Sequence, residues 1–141
     1  MSFAEIRSKS YLKKSEKDEI VPENSYFCTM ILYNTTYQMP IADARDFVIW
    51  VHQVMLPQVH SFGHLHNGRL SRILSHKDGD SECFALQFEV ESTARLHYWL
   101  LKQGKQLGEE LTKTFNNRVL GFSTIMEVIT ESEREGTTNN E

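Results

Sequence analysis

Hydrophobic and polar positions change period several times along the chain. From Tyr26 to Tyr37, YFCTMILYNTTY is dense in aromatic, aliphatic and threonine side chains, the pattern of a strand covered on both faces. The next stretch, MPIADARDFVIWVHQVMLPQV, places Ala44, Phe47, Val48, Val51, Val54 and Met55 at i, i+3, i+4 and i+7, which predicts an amphipathic helix. Pro40 and Asp43 suit its first turn. Pro57 predicts its end or a bend, because the ring collides with the carbonyl four residues back.

A second strand within HLHNGRLSRIL leads to Asp78-Gly79, which predicts a tight type I′ hairpin turn with positive φ at both central residues. Phe84, Leu86, Phe88 and Val90 then alternate with Cys83, Ala85, Gln87 and Glu89, giving one core face and one mixed face. Ser92 is placed to cap a second helix, since its hydroxyl can accept from an unpaired first-turn amide. Leu96, Leu100, Leu107, Leu111 and Phe115 make that helix's apolar stripe, Asn116-Asn117 stops it, and RVLGFSTIMEVI predicts a last strand.

The resulting order is β-α-β-β-α-β. With right-handed crossovers it folds into an α+β, ferredoxin-like domain: a four-stranded antiparallel sheet in the order 4-1-3-2 with both helices on one face. The other face then needs a cover. Phe27, Ile31 and Tyr33 are expected on one side of the first strand, Cys28, Met30 and Leu32 on the other, so both sides are apolar. A homodimer through the open sheet face is the economical solution, with the N-terminal residues as a competing cover.

Composition refines this picture at the ends. Residues 1–24 are charged and Ser/Lys-rich, with a charge balance of zero, and read as an N-terminal extension, partly disordered. Residues 25–129 hold the ferredoxin-like domain. Residues 130–141 carry a balance of −3 out of −4 for the whole chain and read as a disordered acidic tail. The near-neutral middle has no basic stripe, which argues against a nucleic-acid partner. No apolar run reaches the ~18 residues that span a bilayer, and the first residues lack a signal-peptide core, so the expectation is no membrane and a cytoplasmic location. Cys28 and Cys83 lie in strand-like runs without a C-x-x-C pattern and read as free thiols.

Candidate chemistry is sparse. HSFGHLHNGRL puts His60, His64 and His66 close together, but no nearby carboxylate or thiol completes a set, and structural zinc takes four ligands. The expectation is therefore no metal, with those three histidines as the alternative. Gly104 and Gly108 form G-x-x-x-G in the second helix, which predicts close packing of helix on sheet. No Ser-His-Asp or Cys-His arrangement, and no phosphate-cradling glycine loop, can be placed.

Several short stretches resemble a small bacterial family known as domain of unknown function 4286. They are YNTT in the first strand, Trp50 followed seven residues later by Pro57, Gly63 with RLSRIL after it, FALQFEVES with Gln87 and Ser92, Phe115 closing the last helix, and GFSTIMEV. The resemblance covers residues 29–129. Two positions depart from it: Leu56 stands where the family has a histidine before the proline, and Ser123 where the last strand has an arginine. The resemblance implies a dimeric α+β barrel, in which two units pack their open sheet faces together, in some members around a ligand cavity. Cofactor-independent oxygenases of that group hold an aromatic substrate with Asn, Trp and His side chains in a cleft between sheet and helices. By that likeness Asn34, with Tyr33, Trp50 and Trp99, is the candidate constellation, with His52 and His97 on the two helices. The ligand-binding set carried forward is Tyr33, Asn34, Trp50 and Gln87.

Three readings of function follow. The first is a non-catalytic homodimer binding a small molecule or a protein partner, with no cofactor. The second is a cofactor-independent oxygenase or other small-molecule enzyme using the Asn34–Trp50 cleft. The third is a histidine-dependent metal binder. A cavity with converging polar groups separates the first two from a protein that merely dimerises.

Overall fold

The computed structural model describes residues 30–76 and 78–132. Residues 30–128 form one unit of the chain, which is the unit described below. The extension expected at 1–24, with Phe27 and Cys28 after it, lies outside the described residues, as does most of the tail expected at 130–141.

The elements run β1 (Ile31–Pro40), α1 (Ile41–Trp50), α2 (Leu56–Phe62), β2 (Leu65–Arg72), β3 (Ser81–Val90), α3 (Thr93–Trp99), α4 (Lys105–Thr114) and β4 (Leu120–Glu127). π-helical turns, Val51–Met55 and Leu100–Gly104, join α1 to α2 and α3 to α4, so each of the two expected helices is one rod with a π turn inside it. All strand pairs are antiparallel and the order is β2-β3-β1-β4, the expected order read from the opposite edge. The fold is ferredoxin-like.

Three local expectations need correction. The first helix does not stop at Pro57 but continues to Phe62. The Leu56 amide bonds to the carbonyl of Val51, five residues back, and this wider register relieves the crowding that the proline ring causes in an α-turn. Gly63, at φ 84°, ends the rod in the left-handed conformation that glycine takes at no steric cost. Asp78-Gly79 does not form a type I′ turn, since Gly79 lacks the positive φ that both central residues of such a turn require. The Asp78 side chain instead closes a longer connection by accepting the Asp80 amide at 3.0 Å. The first strand, described from Ile31, runs past the expected end at Tyr37 to Pro40.

The start and stop signals of the second rod behave as read. Ser92 Oγ accepts the Arg95 amide at 3.1 Å. Asn116 and Asn117 take φ of 52° and 63°. Their amides bond to the carbonyls of Lys113 and Thr112, the reciprocal pair of a Schellman ending.

Ile31, Tyr37, Met39, Phe84, Leu86, Phe88 and Val90 supply the sheet side of the core, under Phe47, Val51, Met55, Leu96, Trp99, Leu107 and Leu111. Phe47 is the hub, with ring centroids 5.0 Å from Tyr37, 5.6 Å from Phe84 and 6.2 Å from Phe115. Outside this core, Arg118 grips Asp43 through two bonds of 2.8 and 3.0 Å and ties the first turn of α1 to the segment before β4.

The register decides what the open face carries. Leu32, Asn34, Thr36 and Gln38 of β1 lie opposite Glu89, Gln87, Ala85 and Cys83 of β3, and opposite Met126, Thr124, Phe122 and Leu120 of β4. After Leu32, therefore, the outward side of β1 is polar, contrary to expectation. The apolar character of this face comes from β4, where Leu120 and Phe122 are each 66% exposed. Among the described residues, no helix is long and apolar enough to cross a membrane.

Candidate functional site

The packing of helices on sheet leaves space at more than one place. A cavity of about 240 Å³ lies between the second rod and the β1–β4 side of the sheet, lined by sixteen residues among which none is Asp, Glu, Lys, Arg or His. Tyr37, Trp50, Phe88 and Trp99 give it aromatic walls. Its exposed lining residues, Gly108 and Thr112 on α4 with Gly121 and Ser123 on β4, mark the mouth.

Each wall has a local cause. Trp99 is 2% exposed, and its Nε1 donates to Gln103 Oε1 at 2.6 Å while Gln103 Nε2 donates to the Gln58 carbonyl at 3.1 Å, so one amide side chain joins the two rods and fixes the indole. Tyr33 meets Trp99 edge to face at 6.0 Å. Gly104 lies beneath the indole, where a Cβ would come within 2.7 Å of Trp99 Cζ3. At Gly108 a Cβ would meet nothing within 4 Å. The G-x-x-x-G pair thus does not seat the helix on the sheet. One glycine makes room for a tryptophan of its own rod, and the other borders the cavity.

On the sheet side three hydroxyls converge. Ser123 Oγ is 2.9 Å from Thr35 Oγ1 and 3.2 Å from the Tyr33 hydroxyl. Burial, with the neighbouring Tyr33 as a smaller cause, pushes the Tyr37 phenol up to about 12. It therefore stays neutral across the physiological range. The arrangement offers hydrogen-bond donors and acceptors to an uncharged guest within an aromatic wall.

Of the residues singled out from sequence, Tyr33, Trp50 and Trp99 line this cavity. Asn34 and Gln87 do not: they face each other across β1 and β3 on the open face of the sheet, and Asn34 Nδ2 donates to Thr36 Oγ1 at 3.4 Å. The period of two along a strand separates Asn34 from Tyr33 whatever the family likeness suggests. His52 and His97 are exposed and outside the lining. His60 and His66 border a second groove, near Leu56 and Gly68, while the His64 ring stacks on Tyr98 at 5.2 Å. Among the described residues, no three His, Cys, Asp or Glu side chains gather as metal ligands.

Sequence reasoning missed two features. Thr35 and Ser123 are partners only through the β1–β4 register, which leaves no local trace. A Cys-His pair does exist: His76 Nδ1 lies 3.4 Å from Cys83 Sγ, because the β2–β3 connection folds back over β3.

The family profile of domain of unknown function 4286 (DUF4286) matches residues 30–129. The chain belongs to this family. No curated protein matches it. Among solved structures, the DUF4286 fold is similar to a dimeric ferredoxin-like protein from an uncultured marine organism, with 15% identity over 74% of this chain and 99% of that one and a TM-score of 0.54. It is similar to HapK from Hahella chejuensis, with 12% identity over 76% and 99% and a TM-score of 0.56. A provisionally assigned antibiotic biosynthesis monooxygenase from Bacillus cereus matches with 9% identity over 74% and 98% and a TM-score of 0.55. At these identities the likeness is one of fold.

Proposed function

We propose that this DUF4286 protein is a homodimer that pairs across its open sheet face and holds a small, uncharged aromatic molecule, without catalysis at that site, in the cavity between sheet and helices. The observation that carries the reading is the cavity lining: aromatic walls, three hydroxyls on one side, and no charged residue. A volume of about 240 Å³ exceeds the ~150 Å³ known to admit benzene, so a one- or two-ring compound is the right size. Support for the dimer comes from the exposed Leu120 and Phe122 beside Met126 and Leu32, and from the dimeric state named for a structure of the same fold.

A second reading, cofactor-independent oxygenation in the same cavity, draws on the monooxygenase named among the structural neighbours. The lining favours binding over catalysis, because its ionisable side chains are the phenols of Tyr33 and Tyr37, and the latter is held neutral. General-base catalysis works best with a group that titrates near the operating pH.

Indole serves as the probe. Ligand-observed NMR is expected to show indole binding to the full chain and loss of that binding in Gly108→Leu, which adds bulk at a residue of the mouth where a Cβ meets nothing within 4 Å. Equal binding by the two proteins places the guest elsewhere and sinks the proposal.

A further inference from the structure

The connection between β2 and β3, SHKDGDSEC from Ser75 to Cys83, is polar and ends in a thiol. Asp78 accepts the Asp80 amide with one oxygen and the Ser81 hydroxyl, at 3.1 Å, with the other. These two bonds hold its carboxyl below the usual range, the backbone amide being the larger cause. An ionised carboxylate only accepts, so Ser81 commits its one hydrogen to Asp78. Ser81 Oγ is then the acceptor for its other two neighbours, Gln38 Nε2 at 3.3 Å and His76 Nε2 at 2.8 Å. A neutral His76 ring with its hydrogen on Nε2 presents a bare Nδ1 to the Cys83 thiol 3.4 Å away. Every link points one way: thiol to imidazole, imidazole to hydroxyl, hydroxyl to carboxylate.

Access is limited to a small reagent. Cys83 lies on the open face of the sheet, opposite the cavity, and β1 separates its strand from the apolar β4 row through which the dimer is proposed to pair. It is 8% exposed beneath a connection of its own chain. Burial, and then the charges of Asp78 and Glu82, push the thiol up from its ordinary value, so at rest it keeps its proton and needs a base when it reacts.

We propose that Cys83 is a site of reversible thiol oxidation, at which a small hydroperoxide is reduced with His76 acting as the base. The sulfur attacks one peroxide oxygen; an S–O bond forms as the O–O bond breaks. The thiol proton passes to His76 Nδ1 and from there to the leaving oxygen, which departs as water when the oxidant is hydrogen peroxide. Sulfur loses two electrons and the peroxide gains them. Ser81 and Asp78 hold the transient imidazolium, and an external thiol returns the sulfenic acid to Cys83.

The test treats the full chain with hydrogen peroxide, traps sulfenic acid with dimedone, and locates the adduct by peptide mass spectrometry so that Cys28 is read separately. Each native rate is divided by the rate of the same protein in concentrated urea, which corrects for variants that fold less well. The normalised rate at Cys83 is expected to fall roughly a hundredfold in His76→Gln, the lower end of what a positioned proton acceptor contributes, and by less in Ser81→Ala. Normalised rates within twofold of each other in the native protein and His76→Gln, or no labelling of native Cys83, overturn the proposal.

Discussion

Single residues here do work that their type does not announce. Gly104 and Gly108 are identical in sequence terms, yet one has Trp99 at 2.7 Å from where its Cβ would be and the other has open space. Gly104→Ala is expected to cost about 1–3 kcal/mol by overpacking against a buried indole. Gly108→Ala is expected to gain up to ~1 kcal/mol from helix propensity. Urea denaturation of the two variants gives the comparison directly. Asp43 is legible as a first-turn acid, but its partner Arg118 is 75 residues away and only the fold brings them together. The Arg118 hydrogen bonds hold the Asp43 carboxyl below its usual range. A depressed carboxylate contributes stability that is present above the ordinary value and lost as pH falls through the folded one. The urea midpoint of Asp43→Asn is therefore expected below that of the unchanged protein at pH 7, and the gap is expected to close as the pH drops through and below about 4.

At the level of elements, strict periodicity and capping chemistry were readable because they are local. The alternation of Phe84, Leu86, Phe88 and Val90, the Ser92 cap and the Asn116-Asn117 stop all appear as the sequence implies. The stop can be tested: Asn116→Gly is expected to be neutral or stabilising, whereas Asn116→Ala is expected to lose about 1 kcal/mol, since a Cβ without a local hydrogen bond disfavours the left-handed region. What was illegible depends on distant neighbours or on a changed register. Pro57 reads as a stop or a bend under α-helical spacing, and the rod continues through it because the turn before it is a π turn. Asp78-Gly79 reads as a tight hairpin by composition, while the structure spends the Asp78 carboxylate on Asp80 and Ser81. Of the expected ligand set, Asn34 and Gln87 lie on the opposite face of the sheet from Tyr33, a separation that strand parity imposes.

For the whole molecule, an uncovered sheet face is a statement about assembly. β4 is exposed along almost its whole length, and its outward row of Leu120, Phe122 and Met126 is apolar. Exposed apolar patches of this kind mark interfaces in soluble proteins. Phe122→Glu puts a charge in the middle of the row without touching the core, and native mass spectrometry is expected to show the proposed dimer replaced by monomer. A dimer that survives the substitution would place the interface elsewhere. The same variant is expected to keep its fold, because Phe122 lies opposite Thr36 on the side of the sheet away from the helices.

The open space at Gly108 bears on how such a protein can diversify. Most residues around the cavity also belong to the core, so altering them risks the fold. Gly108 is an exception: it sits at the entrance, it is exposed, and a Cβ added there meets no neighbour within 4 Å. Each larger side chain there narrows the entrance while leaving the aromatic walls and hydroxyls in place. For the proposed guest, a single codon is therefore expected to tune entry at a smaller stability cost than changes in the cavity walls.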